Sequence, residues 1–251
     1  MLTHPTRDKL IALKLFGIAN ALQEQSSQPE IEGLHFEERL GLLVDREMTD
    51  RENRQLQARL KNARLRQTAC VEDIDYRYAR GLDKSLIQKL ATGSWIQAHQ
   101  NLFIIGPTGT GKTYLASALA QQACRQGYSA LYLRVSRLFD HLALNKGIGR
   151  YAKLLTSLAK QDLLVLDDWG LCVLTEEQRK DFLEIIEDRH GTRSTLISGQ
   201  LPVEHWHKII GDPTLADAIL DRLVHNAHKI NLKGESMRKK HSLLTQKDTE
   251  A

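Results

Sequence analysis

From Asn101 onward, short apolar runs alternate along the chain with longer stretches in which apolar positions recur at helical spacing. Five of the short runs predict strands, at residues 102–105, 130–135, 163–166, 195–198 and 228–232. Four of the five are nearly continuous in apolar residues, as expected for strands buried on both faces of a parallel sheet. The stretches between them predict helices at residues 114–125, 136–144, 151–158 and 175–190. This alternation predicts an α/β fold with helices on both faces of the sheet.

The first 66 residues read instead as helices. Two mostly apolar stripes follow helical spacing: Leu10, Ile11, Lys14, Leu15, Ile18 and Leu22, and then, after a break at SSQPE (residues 26–30), Phe36, Leu40, Leu43 and Val44. Thr49 and Glu52 match a capping box, which predicts that a helix starts or restarts there. The buried stripe of that helix would be Leu56, Leu60 and Ala63.

Composition and charge are those of an ordinary globular protein, with 251 residues, 41% of them hydrophobic, and a formal net charge of +4. This mild excess of bases permits a polyanionic partner without requiring one. No apolar run is long enough to cross a bilayer, and Asp8, Lys9 and Lys14 interrupt the N-terminal apolar stretch. We therefore expect no membrane segment, no signal peptide and a cytoplasmic location. The three cysteines are far apart and form no CxxC pair, so we expect neither a disulfide framework nor a zinc site.

The segment GPTGTGKT, residues 106–113, follows a predicted strand and opens a predicted helix, which is the context of a phosphate-binding loop. Glycines let the backbone curl so that several N–H groups point at one anion, and the helix N-terminus adds its dipole. Lys112 would reach the β- and γ-phosphates of ATP, and the Thr113 hydroxyl would bind Mg²⁺. The predicted nucleotide-binding set is Gly106, Pro107, Thr108, Gly109, Thr110, Gly111, Lys112, Thr113 and Tyr114.

Two adjacent acids, Asp167 and Asp168, follow the buried run LLVL. Ligands bind at the carboxyl ends of strands in open α/β sheets, so this is the expected edge for a nucleotide. Asp167 would hold Mg²⁺, directly or through water, and Asp168 would orient and deprotonate the attacking water. A solvated turn is the simpler alternative, but the apolar run that leads into the pair argues against it.

Five segments, GPTGTGKTYLA, LLVLDDWG, ISGQLPVEHWH, GDPTLADAILDRLVHNAHKI and GESMRKK, closely resemble the IstB family. Its members are ATP-dependent helper proteins of bacterial insertion sequences, related to the DnaC helicase loader within the AAA+ ATPases. The resemblance implies a three-layer P-loop core of the AAA+ type with a five-stranded parallel sheet. We expect a small helical domain at residues 1–67, for assembly or DNA contact, and the ATPase domain at residues 68–251.

The resemblance also implies roles for three further polar residues. Gln200 ends the fourth strand, where AAA+ proteins carry a polar sensor of the γ-phosphate, although asparagine is commoner there. Arg222 matches the arginine finger that reaches the nucleotide of a neighbouring subunit; a surface arginine paired with Asp217 or Asp221 is an equal alternative. Arg238 lies where a second sensor arginine would be, or is one more base in a polar tail.

Two features depart from the family pattern. Asp168 stands where many AAA+ enzymes have glutamate, so we expect slow hydrolysis. Only about twenty residues follow the last predicted strand, which is too few for the usual helical lid. The lid would then be minimal or absent, and the N-terminal part and a neighbouring subunit would close the nucleotide site.

Three clusters of basic residues are candidates for contacts with DNA phosphates. They are Arg51, Arg54, Arg59, Lys61, Arg64 and Arg66; Arg137, Lys146, Arg150 and Lys153; and Lys233, Arg238, Lys239 and Lys240. Such contacts confer little sequence preference, and no DNA-reading motif is evident. A solvated charged face is the alternative for each cluster. Because related loaders turn the segment after the second strand toward DNA, the second cluster is favoured over the first.

These patterns, with the family resemblance, predict an ATPase that uses ATP and Mg²⁺. It would form a homo-oligomer on double-stranded DNA, with ATP at the subunit boundaries, and would deliver that DNA to an integrase-like transposase or activate the transposase. Hydrolysis would drive disassembly. The alternative is a DnaC-like helicase loader or replication adaptor in which ATP acts as a switch; the segment at residues 211–230 favours the IstB assignment. A small-metabolite kinase is disfavoured because it explains neither the basic clusters nor Arg222.

Overall fold

A five-stranded, entirely parallel sheet forms the centre of the region from Asn101 to Asn231 in a computed structural model that describes residues 5–28, 31 and 33–237. The strands are β1 (Asn101–Ile105), β2 (Ala130–Arg134), β3 (Leu163–Trp169), β4 (Ser194–Gly199) and β5 (Ala227–Asn231). Their spatial order is β2-β3-β4-β1-β5. All five predicted strands are present with small shifts at their ends. The largest shift is at β3, which continues past Leu166 through both aspartates to Trp169.

Helices cover both faces of this sheet. They are α4 (Lys84–Ala91), α5 (Ser94–Gln97), α6 (Lys112–Arg125), α7 (Val135–Gly147), α8 (Tyr151–Ala159), α9 (Glu176–Arg189), α10 (Trp206–Ile210) and α11 (Pro213–Val224), with a short 3₁₀ helix at Val203–His205. Alternate strand residues such as Phe103, Leu164 and Ile197 share one core with α7, α8, α9 and α11. The intervening residues, such as Ile104 and Val165, are equally buried and point to the opposite face. The three-layer α/β architecture is therefore confirmed.

Four helices of this region were absent from the sequence prediction. Helices α4, α5 and α10 are short, so they present too few turns for a clear apolar period. Helix α11 did carry a start signal, because Asp212 caps it by accepting a hydrogen bond from Leu215 N (2.8 Å) and Pro213 occupies its first turn. That helix carries Arg222.

The chain divides into two compact units, Met1–Ala58 and Arg59–Ala251. Helices α1 (Pro5–Ala12) and α2 (Phe16–Gln25) lie in the first unit, and α3 (Phe36–Ala63) begins there and ends in the second. The predicted division at residue 67 stays a prediction; the compact units meet earlier, within α3. In the described part of the chain, no helix combines the length and the apolarity needed to cross a bilayer.

Two details of the helical prediction are wrong. Helix α3 is continuous through Thr49, whose hydroxyl donates to Asp45 O (2.9 Å) inside the helix, so no helix starts there and the capping box with Glu52 does not form. The first apolar stripe is divided between α1 and α2 because Lys14 adopts a left-handed conformation (φ 60°). A capping box does form at the start of α9, between Thr175 and Gln178.

Most of the second predicted stripe lies on the surface. Phe36, Leu40 and Val44 are exposed on α3, and Leu43 is half-buried. One polar residue of the same helix is buried instead. Glu47 accepts hydrogen bonds from Gly17 N (2.7 Å) and Ile18 N (3.2 Å), the otherwise free amides in the first turn of α2. The contact between α2 and α3 therefore depends on a carboxylate that caps a neighbouring helix.

Candidate nucleotide-binding site

The phosphate loop connects β1 to α6 at the carboxyl edge of the sheet. Gly109 (φ 86°) and Gly111 (φ 95°) adopt left-handed conformations that other residues rarely accept, and Gly111 is the N-cap of α6. Lys112 Nζ donates to the carbonyls of Gly106 (2.7 Å) and Pro107 (2.8 Å). Thr110, which is buried, also donates to Pro107 O (2.9 Å). The loop is thus held in a curl by its own side chains, with the N-terminus of α6 behind it.

A cleft of about 700 Å³ opens over this loop. The residues of the predicted site that line it are Thr108, Gly109, Gly111, Lys112, Thr113, Tyr114, Asp168 and Gln200. Gly106, Pro107 and Thr110 support the loop instead. Two motifs more than fifty residues apart in sequence therefore meet at one cleft, as the sequence predicted.

Thr113 and Asp167 form the link between these motifs. Thr113 Oγ1 donates to Asp167 Oδ2 (2.9 Å), and Asp167 is almost fully buried. The same carboxylate accepts hydrogen bonds from the hydroxyls of Tyr132 and Ser198. Burial, and then the hydrogen bond to Asp167, raise the pKa of Tyr132, so its hydroxyl stays protonated and donates. Hydroxyl and carboxylate oxygens are hard ligands, so this donor set fits Mg²⁺.

A bulge in β3 gives Asp168 its position. Leu166 pairs with Ile197 and Trp169 with Gly199, so β3 has one residue more than β4 over this interval. Asp168 adopts a left-handed conformation (φ 62°), uncommon outside glycine, and remains partly exposed at the cleft. The two aspartates therefore face different surroundings, one inside the sheet and one in the cleft.

Two arginines lie beside these acids. Arg66 Nη1 is 3.7 Å from Asp167 Oδ2 and 3.6 Å from Asp168 Oδ2. Arg134 Nε is 3.7 Å from Asp168 Oδ2. The sequence assigned neither arginine to the nucleotide site: Arg66 was counted among the DNA candidates, and Arg134 falls within the strand predicted at residues 130–135. Arg134 is the last residue of β2, and this position was a usable signal, because β2 pairs with β3 and Arg134 lies opposite Asp167.

Residues 66–80 and the last described residues supply another wall that the sequence did not predict. Arg80, which is buried, donates from Nη1 to Thr110 O (3.1 Å) and from Nη2 to Asp75 O (2.9 Å). A Cβ on Gly111 would lie 2.6 Å from Arg80 Nη1, so a side chain there would displace the guanidinium. Met237 N donates to Gly109 O (2.9 Å), which holds the C-terminal segment against the loop.

Arg222 lies away from this cleft and lines a separate small pocket with His99, Arg189 and Arg193. Its Nη2 pairs with Glu187 Oε2 (2.7 Å), and Nη1 donates to Ala218 O (2.9 Å). The ion pairs predicted as the alternative, with Asp217 or Asp221, are wrong. Those acids lie beside His207 and His225, respectively. The prediction for Arg238 concerns a residue outside the described part of the chain.

The DNA-binding candidates divide by their partners. Arg51 and Arg54 both contact Glu47 Oε1, at 2.6 and 3.5 Å, and Arg54 also lies over the ring of Phe16. Lys146 pairs with Glu177 and with Asp181, both at 2.7 Å, and Arg137 lies 3.6 Å from Asp140. Lys61, Arg150 and Lys153 are exposed, and none of them pairs with a carboxylate among the described residues. The last three retain the most freedom to bind phosphate.

A sequence profile described as IstB-like ATP binding protein matches residues 8–245. The insertion sequence ATP-binding protein y4pL of Sinorhizobium fredii is 57% identical over 95% of this chain and 98% of its own length. The corresponding protein of insertion sequence IS1162 from Pseudomonas fluorescens is 51% identical over 80% of this chain and 88% of its own.

Solved structures show the same fold at low sequence identity. The DnaC helicase loader has a TM-score of 0.56 at 20% identity and covers 66% of this chain and 97% of that one. AMPPCP-bound DnaA from Aquifex aeolicus has a TM-score of 0.56 at 18% identity and covers 72% of this chain and 57% of that one. The chain therefore shares its fold with the DnaC helicase loader and DnaA.

Proposed function

Because the chain belongs to the family of IstB-like ATP binding proteins, we propose that it is an ATP-driven helper of insertion-sequence transposition. The observation that carries this proposal is the hydrogen bond between Thr113 and Asp167, which joins the phosphate loop to the acidic end of β3. The relatives with 57% and 51% identity are named insertion sequence ATP-binding proteins, and this chain matches nearly their full length. We infer the same role here.

Each residue of the cleft has a defined task in this proposal. Backbone N–H groups at the start of α6 bind the phosphates, and Lys112 exchanges the carbonyls of its own loop for phosphate oxygens. Thr113 and Asp167 would hold Mg²⁺, which would neutralise negative charge on the phosphates. Asp168 orients the attacking water and accepts its proton, and Gln200 contacts the γ-phosphate. Since Arg134 lies beside Asp168, that base is restrained, which supports slow hydrolysis.

Assembly is the second part of the proposal. Arg222 lines a pocket of its own, separate from the cleft at the phosphate loop, so the nucleotide that it contacts would be that of a neighbouring copy. The exposed apolar side chains Phe36, Leu40 and Val44 give α3 a surface that a further copy could cover. ATP at the boundary between copies would link nucleotide occupancy to the size of the assembly.

Duplex DNA is the third part. Lys61, Arg150 and Lys153 are exposed cations without a carboxylate partner among the described residues, as sequence-independent phosphate contacts require. The assembly would hold this DNA for an integrase-like transposase and release it after hydrolysis.

Transposition of the cognate insertion sequence in cells tests the proposal. We expect Lys112→Ala to reduce transposition by about 10²-fold or more, the size of the effect when an enzyme loses one preorganised hydrogen-bond donor to developing negative charge. Lys160→Ala is the matched control, since it removes an exposed lysine at the end of α8 without touching the loop. Transposition that proceeds normally in the Lys112→Ala strain would contradict the proposal. A replicative-helicase defect in that strain, with transposition intact, would favour the loader alternative.

A further inference from the structure

Arg66 lies at the nucleotide site although it belongs neither to the phosphate loop nor to the pair of aspartates. Its Nη1 lies between two carboxylates, 3.7 Å from Asp167 Oδ2 and 3.6 Å from Asp168 Oδ2. Asp167 Oδ2 is also the atom that accepts the hydrogen bond of Thr113, at 2.9 Å. The guanidinium therefore contacts the oxygen that would face Mg²⁺, and it does so from within the same chain.

The charges at this site determine whether Arg66 and a metal ion can be present together. Arg66 and Arg134 together balance the two negative charges of Asp167 and Asp168. A divalent cation beside Asp167 Oδ2 would stand a few ångströms from the guanidinium of Arg66. Like charges at that separation repel strongly in a partly buried site. Arg66 and Mg²⁺ cannot both hold their places.

We propose that Arg66 is a cationic stand-in for Mg²⁺, which neutralises Asp167 and Asp168 in the nucleotide-free protein and must leave when Mg·ATP binds. This proposal rests on the proposed function, because it assumes the ATP site described above. Arg66 is a positioning residue in this account: it holds the two carboxylates in place, and it sets the Mg²⁺ concentration at which nucleotide is accepted.

The local chain allows Arg66 to move. Its side chain is 35% exposed, so one side faces solvent. Helix α3 ends at Ala63, and Arg64 adopts a left-handed conformation (φ 51°), so Arg66 lies on an irregular segment rather than within a helix. Gln67, the next residue, lines the cleft. When Arg66 leaves, Arg134 still lies beside Asp168, whereas Asp167 passes to the metal.

Movement of Arg66 would also link the nucleotide site to helix α3. The segment that bears it follows directly on α3, the helix that reaches into the first compact unit. Exchange of Arg66 for Mg²⁺ would therefore report nucleotide occupancy to the end of that helix.

Equilibrium binding of a fluorescent ATP analogue, titrated over free Mg²⁺, tests the proposal. We expect Arg66→Ala to lower the free Mg²⁺ needed for half-maximal binding by about tenfold, because one positive charge beside the metal is gone. Arg66→Lys should remain near wild type. Arg64→Asn is the matched control, since it removes a nearby charge and asparagine tolerates the left-handed backbone. If Arg66→Ala does not fold, Arg66→Gln makes the same measurement.

The outcomes separate the alternatives. A merely structural role would weaken nucleotide binding at every Mg²⁺ concentration and leave the midpoint unchanged, which would overturn the assignment of Arg66. A midpoint that rises in Arg66→Ala would overturn it as well, because Arg66 would then assist the metal. Wild-type protein that binds no nucleotide at any Mg²⁺ concentration would overturn the proposed function, and the role of Arg66 with it.

Discussion

Arg222 shows how one side chain can have two partners. In the single chain its guanidinium pairs with Glu187 (2.7 Å) and donates to Ala218 O, so it is held on the surface of α11 and α9. An arginine finger would have to exchange Glu187 for the phosphate of a neighbouring copy. Since an exposed ion pair of this kind contributes little to stability, the exchange is feasible.

We predict that Arg222→Ala binds ATP as wild type does but loses about 10³-fold or more in turnover, the range known for arginine fingers. Glu187→Gln is the control because it removes the same ion pair and leaves the arginine. Turnover and sedimentation with ATP should be measured on both variants. Equal turnover in Arg222→Ala and Glu187→Gln would contradict the finger assignment.

At the same scale, the sequence identified the residues whose type alone implies phosphate or metal chemistry. Lys112, Thr113 and Asp167 were found in this way. Tyr132 and Ser198 were missed because each reads as an ordinary strand position; only the pairing of β2 and β4 with β3 brings their hydroxyls to Asp167. Such partners depend on the register between paired strands, which cannot be read from a single sequence.

At the scale of elements, strands were the most predictable feature because burial on both faces leaves continuous apolar runs. The bulge that displaces Asp168 left no comparable signal. On α3, the sequence showed the helical period but not which positions are buried. Apolar Phe36 is 76% exposed, whereas acidic Glu47 is buried. Capping of α2 by a side chain from another helix cannot be seen from local pattern.

Glu47 gives the element-scale prediction. The hydrogen bond from Arg51 lowers the pKa of Glu47; burial opposes this shift, and the amides of Ile18 and Gly17 support it. A lowered pKa in the folded state means that Glu47 stabilises the protein above its ordinary pKa of 4.5, and that this stabilisation is lost as pH falls through the folded-state pKa. We expect Glu47→Ala to lower the free energy of unfolding of the first unit by about 2 kcal/mol at pH 7.

Hydrogen exchange of the α2 amides provides the local measurement. Glu47→Ala should lose protection in α2 at pH 7. In acid unfolding, the difference in free energy of unfolding between wild type and Glu47→Ala should shrink below the ordinary glutamate pKa. Glu52→Ala, an exposed acid on the same helix, should leave protection unchanged. If that difference stayed constant with pH, it would contradict the assignment of ionised Glu47 as the cap of α2.

At the scale of the whole molecule, the sequence indicated correctly an α/β P-loop core with a helical N-terminal region. It expected closure of the nucleotide cleft by the N-terminal part and a neighbouring copy. Within the described chain, the second unit contributes its own cover, because residues 66–80 and Met237 line the cleft. These segments lack a regular pattern, so their folding over the phosphate loop follows from contacts such as Arg80 to Thr110 rather than from periodicity.

The basic clusters also differ when viewed on the whole molecule. Arg51 and Arg54 serve the contact of α2 with α3, and Lys146 serves that of α7 with α9. Arg150 and Lys153 flank the start of α8, where they are exposed. We expect DNA binding to depend on basic residues without a carboxylate partner, and therefore more on the second cluster than on the first. The ion pairs on which this expectation rests cannot be read from the sequence.

Duplex DNA binding with and without Mg·ATP tests the central claim most directly, measured by fluorescence anisotropy at several salt concentrations. The account predicts that Mg·ATP tightens binding by wild-type protein by about tenfold or more. It also predicts that Lys112→Ala loses this response while Lys160→Ala keeps it, and that affinity falls steeply as salt rises. Wild-type binding that is indifferent to Mg·ATP, or a full response in Lys112→Ala, would contradict the account.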